Sequence, residues 1–395
     1  MCFIPNAMPA YSVVAHSRRG KGRTAMESQT CRVGFEQMER FVRAVLQGIG
    51  VPPADAAICA DVLITADKRG IDSHGVARLK TIYYDRIVKD RIQQPVTRFE
   101  LVRDVKATAV VDGHDGMGMV IGHRAMTLAI EKARAHGIGM VVVRNSTHYG
   151  IAGYYALMAC RAGMIGLTGT NARPSIAPTF GVEPMLGTNP LVFGMPTDEP
   201  FDFTNDYATS ITQRGKIEHY ARLDRAMPEG WVIDAQGHAR TDAAGVLKAL
   251  VADEAALAPL GGIGEELAGY KGYGYATVVE ILSSALQQGA CLKQLCGMEE
   301  GHKVPYRLGH FFLAMDIEAF CDVADFRRAT GDLLRRLRAS RKAPGADRIY
   351  TCGEKEYLAW LERKESGIPL TPATQREMLA MRDELGLKGF DFEWE

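Results

Sequence analysis

No stretch of this sequence carries the roughly 20 consecutive apolar residues that span a bilayer. Charge of neither sign is in excess: Lys plus Arg and Asp plus Glu number 47 each. No overall field therefore invites nucleic acid or an anionic membrane. The eight cysteines, at 2, 31, 59, 160, 291, 296, 321 and 352, form no C-x-x-C pair. That argues against a zinc ribbon or a thioredoxin-type site, and no metal is expected. Their scatter fits reduced thiols in a cytoplasmic protein. Also missing are a G-x-x-x-x-G-K-[S/T] phosphate loop, a G-x-S-x-G nucleophile elbow, an internal repeat and a low-complexity tract. A signal peptide is excluded too, because Arg18, Arg19, Lys21 and Arg23 follow the apolar Val13 and Val14 instead of preceding them. Residues 1–31 read as a disordered extension.

What the chain does have is enough length, 395 residues, for two domains, and enough apolar content, 47%, for a substantial core. Apolar residues recur at helical spacing through Phe35, Met38, Phe41, Val42, Val45 and Leu46, and a second helix opens at Pro52-Pro53. Short β-branched runs at Phe99–Val102 and Thr108–Asp112 predict strands. Residues 140–143, 164–169, 191–193 and 308–317 predict more, with helices between them. Residues 213–260 are rich in turn signals and read as a peripheral excursion. The helix at 323–341 carries six arginines and is predicted to pack through Phe326, Leu333, Leu334 and Leu337.

One glycine-rich turn, Gly113 to Gly122, follows a strand and leads into a helix, as a dinucleotide-binding turn would. Its spacing is G-x-G-x-x-x-G, and no strand ending in an acid lies about 20 residues on. Those glycines are assigned to a turn and to close helix packing.

Chemistry concentrates at Arg69-Gly70-Ile71-Asp72-Ser73-His74-Gly75-Val76-Ala77-Arg78-Leu79. The stretch reads as a turn entering a helix that Asp72 or Ser73 caps. His74 and Arg78, four apart, would share one helix face beside an anion-attracting N-terminus. The alternative is a capped surface helix with an incidental His and Arg. A second histidine, His148, again sits where a strand hands over to a helix, and imidazole suits proton transfer near neutral pH. The glycine run 260–275 places Lys271 at a helix entrance, a setting for phosphate or carboxylate.

Several stretches occur together in order: Arg69–Arg78, Asn145-Ser146-Thr147-His148-Tyr149-Gly150, Gly187-Thr188-Asn189-Pro190, Asp206-Tyr207-Ala208-Thr209-Ser210, Gly215-Lys216, Gly230-Trp231 and Tyr270–Gly274. On these the chain resembles the malate/L-lactate dehydrogenase family of the non-Rossmann type, over about residues 32–370. Relatives include sulfolactate, ureidoglycolate and 2,3-diketogulonate oxidoreductases and cyclic-imine reductases.

The resemblance implies an α/β chain with a non-Rossmann NAD(P)-binding fold. Its sheet is mixed and largely antiparallel, with helical N- and C-terminal regions. Residues 32–120 and about 320–395 would form a helical substrate and dimer domain, and 121–319 the cofactor-binding sheet domain. It implies a cytoplasmic homodimer that uses NAD or NADP to interconvert a small 2-hydroxy acid and 2-oxo acid. His148 and His74 match the catalytic positions, Ser73 and Arg78 the substrate side. Asn171, Asp206, Tyr207, Ala208, Thr209, Ser210, Tyr270, Lys271, Gly353, Glu354 and Lys355 match cofactor contacts. The sequence departs from the family at Tyr207, where many relatives carry Met, and at the longer stretches 262–270 and 290–310. A cyclic-imine or ureidoglycolate-type oxidoreductase is the alternative within the family.

For a 2-oxo acid, a bidentate Arg78 would hold the carboxylate. His148 would supply the proton, with His74 as its rival. A hydrolase is disfavoured, because Ser73 and His74 are adjacent and cannot readily form a nucleophile–base pair. A non-catalytic binding protein that kept the fold is the remaining alternative.

Overall fold

A computed structural model describes residues 31–395 of the chain. The expected extension lies outside the described residues except for Cys31, which opens strand β1 (Cys31–Val33). Helix α1 (Phe35–Gly48) buries Met38, Phe41, Val42, Val45 and Leu46, the stripe its spacing predicts. Helix α2 (Pro53–Lys68) starts with proline in its first turn, where a missing N–H costs nothing. It is buried on most sides, as its low amphipathicity requires.

The segment after α2 departs from expectation. Neither Asp72 nor Ser73 caps a helix. Asp67 Oδ2 accepts from the Val76 N–H at 2.8 Å instead. The Asp72 carboxylate is held by Arg363, whose Nη2 lies 3.0 Å away. Residues Val76–Arg78 form a 3-10 turn that passes into a π-helical turn, Leu79–Tyr84, and then the short α3 (Asp85–Val88). Wide turns of this kind are rare and cluster at functional sites.

Seven strands make the main sheet, in the spatial order Glu100–Val105, Thr108–Asp112, Ile138–Ser146, Leu308–Asp316, Met164–Thr170, Leu191–Met195, Phe203–Tyr207. β2 (Glu100–Val105) and β3 (Thr108–Asp112) lead through α4 (Gly118–His136) to β4 (Ile138–Ser146), the one parallel pairing being β3 with β4. Helix α5 (Gly153–Arg161) precedes β5 (Met164–Thr170), followed by β6 (Leu191–Met195) and β7 (Phe203–Tyr207). Residues 203–207 form a strand that the periodicity of the sequence did not announce. The sheet is mixed and largely antiparallel, the architecture that the missing dinucleotide fingerprint left open.

Residues 214–282 leave the sheet as α6 (Arg214–Arg222), β8 (Val232–Asp234), α7 (Ala243–Val251), β9 (Ala255–Leu257) and α8 (Gly269–Leu282). This excursion has its own small core around Ile176, Ile217, Val232, Val246 and Leu257. A short hairpin, β10 (Met298–Glu299) and β11 (His302–Lys303), precedes β12 (Leu308–Asp316). β12 returns to the middle of the sheet, between β4 and β5, with Phe311 and Phe312 fully buried.

Helices α9 (Val323–Ala339) and α10 (Glu354–Ser366), strand β13 (Ile368–Leu370) and α11 (Pro372–Glu384) close the chain. β13 pairs antiparallel with β1. On α9 only Leu334 of the expected leucines is buried; Leu333 and Leu337 are exposed. Arg335 and Arg338, which flank Leu334 on one side of the helix, bond Asp198 and Glu199, and Leu333 and Leu337 lie on the opposite flank, turned outward. Among the described residues no helix is long and apolar enough to cross a membrane. The cysteines among them are unpaired.

The main core is shared by α1, α2, α4, α5 and the inner sheet strands. Gly166 on β5 makes the approach of α5 possible, since a Cβ there would stand 2.6 Å from the Ala156 carbonyl oxygen. Gly166→Ala is expected to destabilise the protein by about 1–3 kcal/mol, the range for forced overpacking. Chemical denaturation checks this, and an unchanged midpoint would mean that the helix has room to move.

Candidate active site

One cavity of about 510 Å³ collects the chemistry. Ser73, His74, His148 and Gly150 line one region of it, and Asn171, Asp206, Tyr207, Ala208, Ser210, Thr212 and Lys216 another, with Arg69 and Glu356 also in the wall.

The two histidines come together although 74 residues separate them in sequence. Their rings stack with centroids 5.7 Å apart and planes inclined by 20°. His148 Nδ1 lies 2.7 Å from the Tyr83 hydroxyl and accepts from the Gly150 N–H at 3.3 Å. A nitrogen that accepts from a backbone N–H carries no proton. The network therefore assigns the proton of neutral His148 to Nε2 and makes Tyr83 a donor. A tyrosine hydroxyl can also turn and accept, so the same pair accommodates the imidazolium. Burial, then the charges of His74, Arg86 and Arg78, hold His148 well below its ordinary range. Burial and Arg78 bring His74 down to about 4. His74 Nδ1 is 2.8 Å from Ser73 Oγ.

Arg78 is not placed by a helix face. Its Nε donates to the Ser73 carbonyl at 2.6 Å, which folds the guanidinium back over the turn. No carboxylate pairs with Arg78 among the described residues. Arg78 stands beside the imidazoles and outside the cavity lining, and Glu377 acts on it without an ion pair, so its charge is left unneutralised by direct contact and an anionic ligand would stabilise it.

The expected cofactor residues divide. Asn171 lines the cavity, but its side chain is engaged: Oδ1 accepts from Gly309 N at 2.8 Å and Nδ2 donates to the Ala290 carbonyl at 3.2 Å. Asp206 Oδ2 accepts from Gly153 N at 2.8 Å. Burial raises this carboxyl, opposed by that bond and by Arg69. Tyr207 reaches Cys352 Sγ at 3.0 Å across the wall. The Thr209 hydroxyl donates to the Asn189 carbonyl at 2.9 Å.

Ser210 Oγ is buried and unpartnered, as is Thr212 Oγ1 nearby. Both residues line the cavity just ahead of the N-terminus of α6, together with Lys216. Two orphaned hydroxyls at a helix N-terminus fit a phosphate-bearing ligand. Tyr270 and Lys271 stand exposed on the first turn of α8, away from the cavity wall, with Lys271 Nζ over the Tyr270 ring. The Gly353 turn lies outside it too. Glu354 is buried and bonds Thr351 N at 3.1 Å as well as Arg348, and Lys355 Nζ sits 4.9 Å over the Tyr350 ring.

Sequence reasoning assigned no role to Tyr83, Arg69, Glu356 or His310. Tyr83 falls at helical spacing from Val76 and Leu79, where an apolar stripe residue would stand, and from the π-helical turn its hydroxyl reaches His148. His310 is fully buried on β12, between Thr170 Oγ1 at 2.7 Å and Ser146 Oγ at 2.8 Å, and stacks on Tyr149. Among the described residues no cluster of His, Cys, Asp and Glu could hold a metal. The glycine turn at 113–118 abuts the loop that carries His148: a Cβ on Gly118 would stand 2.2 Å from the Thr147 carbonyl oxygen.

Asp67, which closes the turn, is itself unusual. Burial pushes its carboxyl up to about 8, against the pull of the Val76 N–H. The unfolded chain loses that proton near pH 3.9, the folded chain near 8. Stability from this group is therefore full below about pH 4 and lost as the pH rises to about 8. Asp67→Asn keeps an acceptor for Val76 and cannot ionise. Its unfolding free energy relative to wild type is expected to grow between pH 4 and 8; a difference that stays flat in denaturant titrations would refute the raised carboxyl.

The malate/L-lactate dehydrogenase family model matches residues 33–379. Malate dehydrogenase of Pyrococcus horikoshii is 42% identical over 91% of this chain and 96% of its own length. L-sulfolactate dehydrogenase of Methanocaldococcus jannaschii is 36% identical over 90% of this chain and 98% of its own. The crystal structure of malate dehydrogenase from Entamoeba histolytica superposes with a TM-score of 0.87 at 42% identity, covering 91% of this chain and 99% of that one. With fold, cavity and sequence in agreement over nearly the whole described chain, the protein belongs to the malate/L-lactate dehydrogenase family.

Proposed function

We propose that the protein is an NAD(P)-dependent oxidoreductase that interconverts a small 2-hydroxy acid and its 2-oxo acid. The observation that carries this reading is the cavity's pairing of two functions. His148, His74, Ser73 and the nearby Arg78 can hold and protonate a 2-oxo acid, while the orphaned Ser210 and Thr212 hydroxyls can receive a phosphate. The chemistry of the relatives' names, malate and sulfolactate dehydrogenases, is of the same kind. A second copy of the chain, making the homodimer of this reading, would cover exposed apolar residues such as Leu333, Leu337, Val278 and Ile281. A reducing cytoplasm suits its free thiols.

Bound nicotinamide supplies or accepts the hydride. The chain's own residues do the rest. Arg78 takes the substrate carboxylate with the guanidinium edge that its bond to Ser73 leaves free. Ser73 orients the carboxylate or carbonyl. The bound anion offsets the field of Arg78, which is among the forces that keep both histidines neutral, so His148 gains proton affinity when substrate is present. In the reducing direction the Nε2 proton of His148 passes to the carbonyl oxygen as the hydride reaches carbon. Nδ1 keeps its proton in this step, so the ring is left neutral with the Tyr83 oxygen still accepting from Nδ1. His74, stacked against His148, positions the substrate.

Two outcomes follow from these roles. Arg78→Lys is expected to raise the KM for a 2-oxo acid at least tenfold, because a point charge cannot make the bidentate contact; an unchanged KM removes Arg78 from the carboxylate. His148→Ala is expected to lower kcat by about 100-fold or more. If His74→Ala alone has that effect, the two histidines exchange roles. The founding experiment follows NADH and NADPH absorbance against a panel of 2-oxo acids. No oxidation together with no cofactor binding would sink the reading.

A further inference from the structure

Arg69 and Glu356 both line the cavity, and neither is used by the chemistry above. Arg69 ends α2 and Glu356 lies in the first turn of α10. The two segments touch next door, where a Cβ on Gly70 would meet Ala359 Cβ at 3.0 Å. Despite this closeness the two side chains make no ion pair, and neither has a hydrogen-bond partner among the described residues. A half-buried guanidinium and a half-buried carboxylate facing one cavity without partners have unfilled donor and acceptor capacity.

The charges around them decide what fills it. Besides Glu356, the carboxylates of Asp206 and Asp202 act on the Arg69 guanidinium, against the single cation of Arg161. An anionic group brought to Arg69 would meet these carboxylates, and a cation brought to Glu356 would meet Arg69. A neutral planar group that presents an acceptor on one side and a donor on the other satisfies both.

We propose that Arg69 and Glu356 form a clamp for a carboxamide, the group that a nicotinamide ring carries. The guanidinium donates to the carbonyl oxygen and the carboxylate accepts from the amide N–H. The assignment rests on the hydride-transfer reading above. Its consequence is orientation. The carboxamide is bonded to the ring carbon next to the one that carries the hydride, so gripping it fixes which ring face meets the substrate.

The test is cofactor binding without turnover, read by fluorescence of the reduced dinucleotide. NADH and NADPH are titrated, and then the reduced 3-acetylpyridine analogue, which keeps the carbonyl and lacks the amide N–H. Glu356→Ala is expected to weaken the natural cofactor about tenfold, as for a lost hydrogen bond to a charged group, and to leave the analogue's affinity unchanged. Glu356→Gln keeps an acceptor oxygen and restores most of the loss, which separates the clamp from a folding defect. Arg69→Ala weakens both ligands. Equal loss of both ligands on Glu356→Ala would overturn the clamp. So would an Arg69→Ala variant that binds both normally yet loses affinity for a 2-oxo dicarboxylate and keeps it for a monocarboxylate; that result places the distal substrate anion at Arg69. Failure of the wild-type protein to bind either reduced cofactor overturns the hydride-transfer reading itself, and the clamp with it.

Discussion

A single buried bond shapes the site. Asp67 Oδ2 and the Val76 N–H, 2.8 Å apart, close the loop between α2 and the 3-10 turn. Within that loop lie Arg69, Ser73 and His74, and Arg78 follows immediately. The fit is close enough that a Cβ on Gly75 would stand 1.9 Å from Asp67 Oδ1. Three groups that differ in chemistry thus occupy fixed places along a few residues, and the fixing is done by an acid that sees no water. The raised carboxyl of Asp67 reflects this burial: geometry is held at some cost to stability as the pH rises.

The second constraint is electrostatic. Arg78, His74 and His148 crowd together with no carboxylate paired to Arg78, and both imidazoles stay neutral. In water such a cluster would cost little; half-buried it is unfavourable until an anion arrives. In the proposed reading this term makes binding and protonation interdependent, because a bound carboxylate would offset the Arg78 part of the depression of both histidines, while burial, the larger cause, stays. The orphaned hydroxyls of Ser210 and Thr212 show the same logic in neutral form, since buried polar atoms without partners are rare unless a ligand completes them.

Much of this was legible in the sequence, because it depends on local pattern. The α1 stripe, the strands 140–143 and 164–169 and the missing dinucleotide fingerprint each announce themselves within a few residues. His74, His148, Ser73 and Ser210 were named from motif and resemblance. What was not legible depends on tertiary competition. Asp72 and Ser73 are good caps by type, but Asp67 reaches Val76 from an earlier turn, and Arg363, 291 residues away in sequence, captures Asp72. Tyr83 looks like one more stripe residue until the extra width of the π-helical turn rotates it to His148. Leu333 and Leu337 follow a helical stripe that the arginine contacts of α9 turn outward. Glu356 sits beside Glu354, and nothing in the sequence says that one is consumed by Arg348 and the other left free.

The sheet explains how residues so distant in sequence keep a fixed separation. His148 follows β4, and Asn171 follows β5. Between these strands runs β12, contributed by a segment more than 130 residues beyond β5. His310 on β12 spans the gap, reaching Ser146 on one neighbour and Thr170 on the other. Its pKa is lowered to about 3 by burial, so it stays neutral. One ring nitrogen must then donate and the other accept, and each hydroxyl answers accordingly. Its ring lies 4.4 Å from that of Tyr149, the residue after His148, with planes 1° apart. The loop that carries His148 is therefore stacked on the strand that sets its distance from the far strand. Two strand spacings, roughly 10 Å, separate β4 from β5. Changing that distance means breaking a buried, fully bonded imidazole, so the His148 loop and Asn171 stay in register through the centre of the sheet.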